Sequence, residues 1–162
     1  MAPLDQLRQW VFDSGAFVAL GKRVLPHTDV WLHRRTQGRV SLASMGGVKI
    51  LLVTTTGRRS GQPRVTPLKY IHEGDGYFVV GSNWGDDRQP AWALNLLADP
   101  HATVEIGGER LPVTARHIQG EERAMTWPRL VELWPPYGTY AAKVGSRELP
   151  VFLLTPRSPT RR

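Results

Sequence analysis

The chain changes its hydrophobic period near residue 48. Up to about residue 35 the pattern is helical, with Leu4, Leu7, Val11 and Val18 near one face and Arg8, Lys22 and Arg23 elsewhere. Pro26 punctuates this segment, HTDVWLHRR predicts a short helix restarting at Thr28 or Asp29, and residues 38–47 read as a loop. Then β-branched apolar runs take over. VKILLVTT (48–55) predicts a well-buried strand, and RVTPLKYIH (64–72) an alternating partner in which Pro67 marks an edge or a bulge. After the EGDG turn, YFVVGS (77–82) predicts a third strand. PAWALNLLA (90–98) predicts a short helix capped by Asp87, and ATVEI, GGE and RLPVTARHI a further hairpin. EERAMTWPRLVELW has helical spacing, and after PPYGTYAAKV the run PVFLLT (150–155) predicts a last strand.

About six strands in mainly hairpin order predict an α+β, mainly β protein: an antiparallel sheet or small barrel with peripheral helices, not a doubly wound parallel fold. The expected organisation is a helical segment over 1–47, a sheet domain over 48–156 and a basic Pro/Ser/Thr tail over 157–162, disordered by composition. At 162 residues the chain is long enough to bury a real core.

Composition narrows the chemistry. Cysteine is absent, which removes disulfides, thiolate nucleophiles, iron–sulfur clusters and cysteine-ligated zinc. The five histidines (His27, His33, His72, His101, His117) show no metal-ligand spacing, so no metal is expected. No apolar run approaches the ~18 residues of a membrane span. MAPLDQLRQW lacks a basic region followed by an apolar core, so the expected location is cytoplasmic. The net charge of +7 favours an anionic partner, although Arg157, Arg161 and Arg162 of the tail supply part of it.

The densest basic cluster is TTTGRRSGQPR, residues 54–64. Gly57 and Gly61 can take positive φ and let backbone N–H groups converge as an anion-binding nest. Arg58 and Arg59 add forked donors suited to phosphate or carboxylate, with Ser60 and Arg64 beside them. Neither GxxxxGK[ST] nor GxGxxG is present. Taken alone, the loop reads first as a hairpin connection with solvated arginines, because charge runs usually face water.

Three blocks in order, LLVTTTGRRSGQPRVTPLKY, VVGSNWGDDRQPAWALNLLADPHATVEIGG and WPRLVELWPPYGTY, resemble the deazaflavin-dependent nitroreductase family. The resemblance runs from about Val48 to Thr155 and implies a split β-barrel of the FMN-binding type. It also implies an oxidoreductase that uses reduced 8-hydroxy-5-deazaflavin (coenzyme F420) to reduce a small-molecule hydride acceptor: a quinone, a nitroaromatic or an enone. The sheet domain is then a deazaflavin-binding domain. The coenzyme's tail carries a phosphodiester and glutamate carboxylates. The resemblance assigns it to Arg58, Arg59, Ser60 and Arg64, with further coenzyme contacts at Val65, Thr66, Pro67 and Lys69. Others fall at Val80, Gly81, Ser82 and Asn83, at Ala91, Trp92 and Asn95 on the helix beyond, and at Tyr137. On the acceptor side it implies Ser82 with Tyr137 and Tyr140, while the family's first tyrosine position is Trp134 here, an indole without the phenol's hydroxyl geometry. Trp84, where a smaller residue is expected, narrows the same pocket. Without the resemblance, Trp92 and Leu96 at i, i+4 and the two tyrosines at i, i+3 read as core.

Three alternatives stand beside this reading. The same barrel serves FMN and haem proteins, so an FMN-dependent enzyme or flavin-binding protein is the nearest, while no histidine is placed by motif for haem. A non-catalytic nucleic-acid-binding protein would show a basic stripe with interleaved aromatics, which this chain lacks, so no nucleic acid is expected. Residues 3–23, PLDQLRQWVFDSGAFVALGKR, fit either an interfacial helix on the inner face of the membrane or a helix that caps the barrel. Monomer and homodimer are both open.

Overall fold

The computed structural model describes residues 49–157. The predicted N-terminal helices, with the expectation of peripheral membrane contact, and most of the basic tail lie outside the described residues.

Six strands form a closed antiparallel barrel in the order β1-β2-β3-β6-β5-β4, with β4 pairing back onto β1. They are β1 Ile50–Thr56, β2 Pro63–Glu73, β3 Gly76–Val80, β4 His101–Ile106, β5 Glu109–Ile118 and β6 Val151–Pro156. Helix α1 (Ala91–Ala98) links β3 to β4, and α2 (Gly120–Leu133) and α3 (Pro136–Lys143) link β5 to β6. The predicted mainly β fold with peripheral helices is therefore the observed one.

Two clusters hold it together, one on each side of the sheet. Inside the barrel, Leu51, Val53, Val79, Val104, Val113, Phe152 and Leu154 pack with Trp92 and Leu96 of α1. Outside it, Phe78, Val80, Ile118 and Val151 pack against Leu130 of α2, Tyr137 of α3, Val144 and Leu149. β3 and β6 thus send alternate residues into two different cores, which explains why they read as continuous apolar runs. β1 is the same kind of strand, with Ile50, Leu51, Leu52 and Val53 all buried.

Pro67 marks an edge. β2 pairs with β1 in unbroken register from Thr56↔Pro63 to Ile50↔Lys69, so there is no bulge. β3 joins β2 only from Tyr70↔Val79 onward. Among the described residues, Pro63–Lys69 is therefore paired on one side alone, and a proline there forfeits no ladder bond on the open side. The barrel is split at this point.

The predicted cap of α1 is corrected. Its N-cap is Pro90, with no side-chain cap hydrogen bond, so Asp87 does not cap it. Pro90 instead packs with Pro150 around Gly81, which donates its N–H to Pro150 O at 2.8 Å. A Cβ on Gly81 would lie 2.6 Å from Pro150 Cγ and 3.3 Å from Pro90 Cγ, both parts of stiff rings. Gly81→Ala is expected to cost about 1–3 kcal/mol from overpacking, visible as a lower Tm in thermal denaturation.

Candidate functional site

The loop between β1 and β2 is built as a tight turn. Gly57 N–H donates to Gln62 O at 2.8 Å, Gly61 N–H to Gly57 O at 2.7 Å and Ser60 N–H to Gly57 O at 3.1 Å. Gly61 takes φ +66, as expected, but Gly57 does not adopt positive φ; glycine is required there for space. A Cβ at Gly57 would stand 2.7 Å from Ser60 Oγ and 3.1 Å from Gln62 O. The predicted backbone nest is also corrected. The N–H groups of Gly57, Ser60 and Gly61 are used by the turn, and that of Arg58 donates to Asn95 Oδ1 at 3.2 Å. The loop's capacity for anions therefore rests on its side chains.

Asn95 moors the loop to α1. It is 3% exposed, and its Nδ2 donates to Thr55 Oγ1 at 3.0 Å while its Oδ1 accepts from Arg58 N–H and, at 3.5 Å, from the Arg58 guanidinium. Thr55, itself 1% exposed, had no functional signal in the sequence beyond its place in a strand. Ser60 Oγ accepts from Arg64 Nη2 at 3.4 Å, which draws the third arginine toward the other two.

These residues open into a cleft of about 730 Å³ lined by Gly57, Arg58, Arg59, Ser60, Pro63, Arg64, Val65, Thr66, Ala91, Trp92 and Asn95. Among the described residues the lining holds three arginines and no carboxylate. It also runs along the one-sided half of β2, where strand backbone faces no partner among the described residues. A polyanionic coenzyme tail fits this donor set. Of the candidate coenzyme contacts, those on the loop, at Val65 and Thr66 and on α1 are brought together here; Pro67, Lys69, Val80, Gly81, Ser82, Asn83 and Tyr137 are not part of this lining.

The segment after β3 forms a second unit. Asn83–Gly85 is one 3₁₀ turn in which Asn83 (φ 46), Trp84 (φ 58) and Gly85 (φ 70) are all left-handed. For a tryptophan that conformation is strained. Arg147, far along the chain, holds it: its guanidinium donates to Asp86 O at 2.6 Å, Gln89 Oε1 at 3.1 Å, Ser82 O at 3.2 Å and Gly81 O at 3.5 Å. Asn83 Nδ2 adds a bond to Arg88 O at 2.9 Å. Arg147 carried no signal in the sequence, because its partners, three backbone carbonyls and the Gln89 amide oxygen, lie some sixty residues away. Arg147→Ala is expected to lose about 1–3 kcal/mol of stability. Arg147→Lys should recover only part, since an ammonium cannot span four acceptors spread around a planar fork. Thermal denaturation of both variants checks this.

The tyrosine segment sits against the outer core. Trp134 closes α2 and precedes Pro135, which forces it out of helical geometry to φ −142, ψ 85. Tyr137 and Tyr140 share α3, one turn apart. Tyr137 is 5% exposed and tilted against Trp127 at 6.4 Å. Burial, and then Tyr140 nearby, push its hydroxyl well above the usual phenol range. Tyr137 is thus a core residue as well as a candidate. Trp134 meets Lys69, whose Nζ lies 2.9 Å from the centre of its ring, and burial lowers the Lys69 ammonium to about 8.

A closed six-stranded antiparallel barrel, split along its second strand beside an arginine-lined cleft, defines a split-barrel protein with room for a long anionic ligand. The family model of F420H(2)-dependent quinone reductases matches residues 25–156, and the chain belongs to that family. Among curated relatives, the F420H(2)-dependent quinone reductase Rv1261c of Mycobacterium tuberculosis is 36% identical over 134 residues, covering 78% of this chain and 86% of its own. Among solved structures, an F420-H2 dependent reductase (FDR-A) is 42% identical at a TM-score of 0.59, over 65% of this chain and 93% of that one. A second, described as a domain-swapped dimer, is 33% identical at 0.62, over 94% of this chain and 99% of that one. The haem protein HutZ of Vibrio cholerae, 16% identical at 0.51 over 70% of this chain and 85% of that one, shares the fold alone.

Proposed function

We propose that this protein is an oxidoreductase that passes a hydride from reduced coenzyme F420 to a quinone. The observation that carries the reading is the cleft whose described lining has three arginines and no carboxylate, in a member of a family whose relatives are named F420H(2)-dependent quinone reductases. The reduced coenzyme, when bound, supplies the hydride. Arg58, Arg59 and Arg64 hold the anionic tail, and Asn95 and Thr55 fix the loop so that little conformational freedom is lost on binding. Val65 and Thr66 on the open half of β2, with Ala91 and Trp92 of α1, wall the cleft toward the rest of the coenzyme. The Ser82–Gly85 turn, held by Arg147, and the Trp134–Tyr140 segment form the acceptor side. There the chain's task is to orient the acceptor, exclude water and stabilise the oxygen that becomes anionic.

Quinones are the favoured acceptors within this reading, ahead of enones and nitroaromatics, because Trp134 replaces a hydroxyl with a flat apolar face. Among the described residues no helix is long and apolar enough to cross a membrane. A homodimer is the assembly this reading favours, since one structural neighbour is described as a domain-swapped dimer.

The test is oxidation of reduced F420 by a naphthoquinone and by a nitroimidazole, followed by recovery of deazaflavin absorbance. Turnover of the quinone, with the nitroimidazole at least ~10-fold slower, is expected. Failure of every acceptor with a protein that binds FMN in preference to F420 would move it to the flavin-dependent proteins of the same fold.

A further inference from the structure

Lys69 is the last residue of the one-sided half of β2, and it does not line the arginine cleft. Its ammonium instead reaches the junction of α2 and α3 and lies 2.9 Å from the centre of the Trp134 ring. Trp134 is fixed at both backbone ends: its N–H donates to Leu130 O at 3.0 Å and its carbonyl accepts from Tyr137 N–H at 3.0 Å. Among the described residues no carboxylate pairs with Lys69. An indole face attracts a cation but accepts no conventional hydrogen bond and carries no neutralising charge. The structure thus holds a half-buried cation at the start of the tyrosine segment, with donor capacity to spare and, among the described residues, no counter-ion.

Resting on the reading of that segment as the acceptor side, we propose that Lys69 is the donor to the acceptor oxygen, held in place by Trp134, and not a contact to the coenzyme tail. As the hydride's electron pair enters the quinone, one carbonyl oxygen becomes anionic, and the ammonium stabilises it at close range. The proton then passes from Nζ to that oxygen: an N–H bond breaks, an O–H bond forms, and the neutral amine regains a proton from water. Hydride and proton together convert quinone to hydroquinone. Burial, which lowers the ammonium to about 8, makes it a readier proton donor than an ordinary lysine at neutral pH. Trp134 acts as a positioning residue, its ring replacing a tyrosine's direct donation by orientation of a stronger donor.

The test uses wild type, Lys69→Met, Lys69→Arg and Trp134→Leu, each first shown to be folded by circular dichroism. Three quantities are measured: the Kd for oxidised F420, the Kd for hydroxynaphthoquinone (an anion at neutral pH) against uncharged naphthoquinone in the presence of F420, and kcat. In Lys69→Met the F420 Kd is expected within about threefold of wild type and the preference for the anionic over the neutral quinone reduced about tenfold. Loss of one oxyanion donor should lower kcat by roughly 10²-fold. Lys69→Arg should regain most of the anion preference but little of kcat, because a guanidinium is a poor proton donor. Trp134→Leu should show the same loss of anion preference in weaker form. A rise of tenfold or more in F420 Kd with the anion preference unchanged would make Lys69 a coenzyme contact and overturn the inference. Unchanged binding and unchanged kcat would overturn it equally. If wild-type protein binds no F420, the cleft reading fails before any variant is compared, so the two failures are distinguishable.

Discussion

Alanine at both Arg58 and Arg59 is expected to weaken binding of coenzyme F420 by roughly 10²-fold, through loss of two sets of charge-assisted bonds to the tail. Both side chains are exposed, so part of their attraction is screened. The wild-type affinity should therefore fall as salt rises, and that of the double variant should fall less. Stability should change little, because the turn is held by the N–H groups of Gly57, Arg58, Ser60 and Gly61, which alanine retains. Titration of oxidised F420 by fluorescence at two ionic strengths, alongside thermal denaturation, separates the two effects. A parallel loss of stability and affinity would mean that the arginines hold the loop instead of the ligand.

The second large effect is expected at Asn95. Asn95→Leu removes the acceptor of the Arg58 N–H and the donor to a buried Thr55 hydroxyl at one stroke. The expected cost is about 2–3 kcal/mol, a Tm lower by roughly 5–10 °C, with F420 affinity falling as the loop loses its mooring. Asn95→Asp separates mooring from charge. A carboxylate still accepts from Arg58 and can accept from the Thr55 hydroxyl, so stability should be largely kept. Its negative charge would, however, compete with the coenzyme for Arg58, and F420 affinity should fall at least ~10-fold. Thermal denaturation and F420 titration of the two variants read both quantities.

The strands were legible because burial on both faces leaves a plain mark: ILLV, FVV and VFLL are unbroken apolar runs within β1, β3 and β6. Pro67 signalled an edge or a bulge, and the unbroken register shows that it is an edge. The arginine loop was visible as charge, but its mechanism was not. Spacing suggested a backbone nest, whereas the turn consumes those N–H groups and Gly57 serves to make room. Such a distinction depends on which hydrogen bonds close within the loop, and residue types do not state that. Asp87 was misplaced for a related reason: Pro90, the N-cap of α1, and Pro150 from a distant segment both crowd Gly81. Arg147 and Thr55 were invisible as functional residues because their partners lie 40 or more positions away. The meeting of Lys69 with Trp134 is of the same kind, since it exists only once β2 is folded against the α2–α3 junction.

The central claim is that the cleft between the β1–β2 loop and α1 is a site for a long polyanionic deazaflavin. The most direct test is a fluorescence titration of wild-type protein with oxidised F420 and, in parallel, with FMN, whose single phosphate cannot engage all three arginines. F420 is expected to bind at least ~10-fold more tightly, with an advantage that shrinks as salt is raised. FMN binding as tightly as F420, or an F420 affinity indifferent to salt, would contradict it.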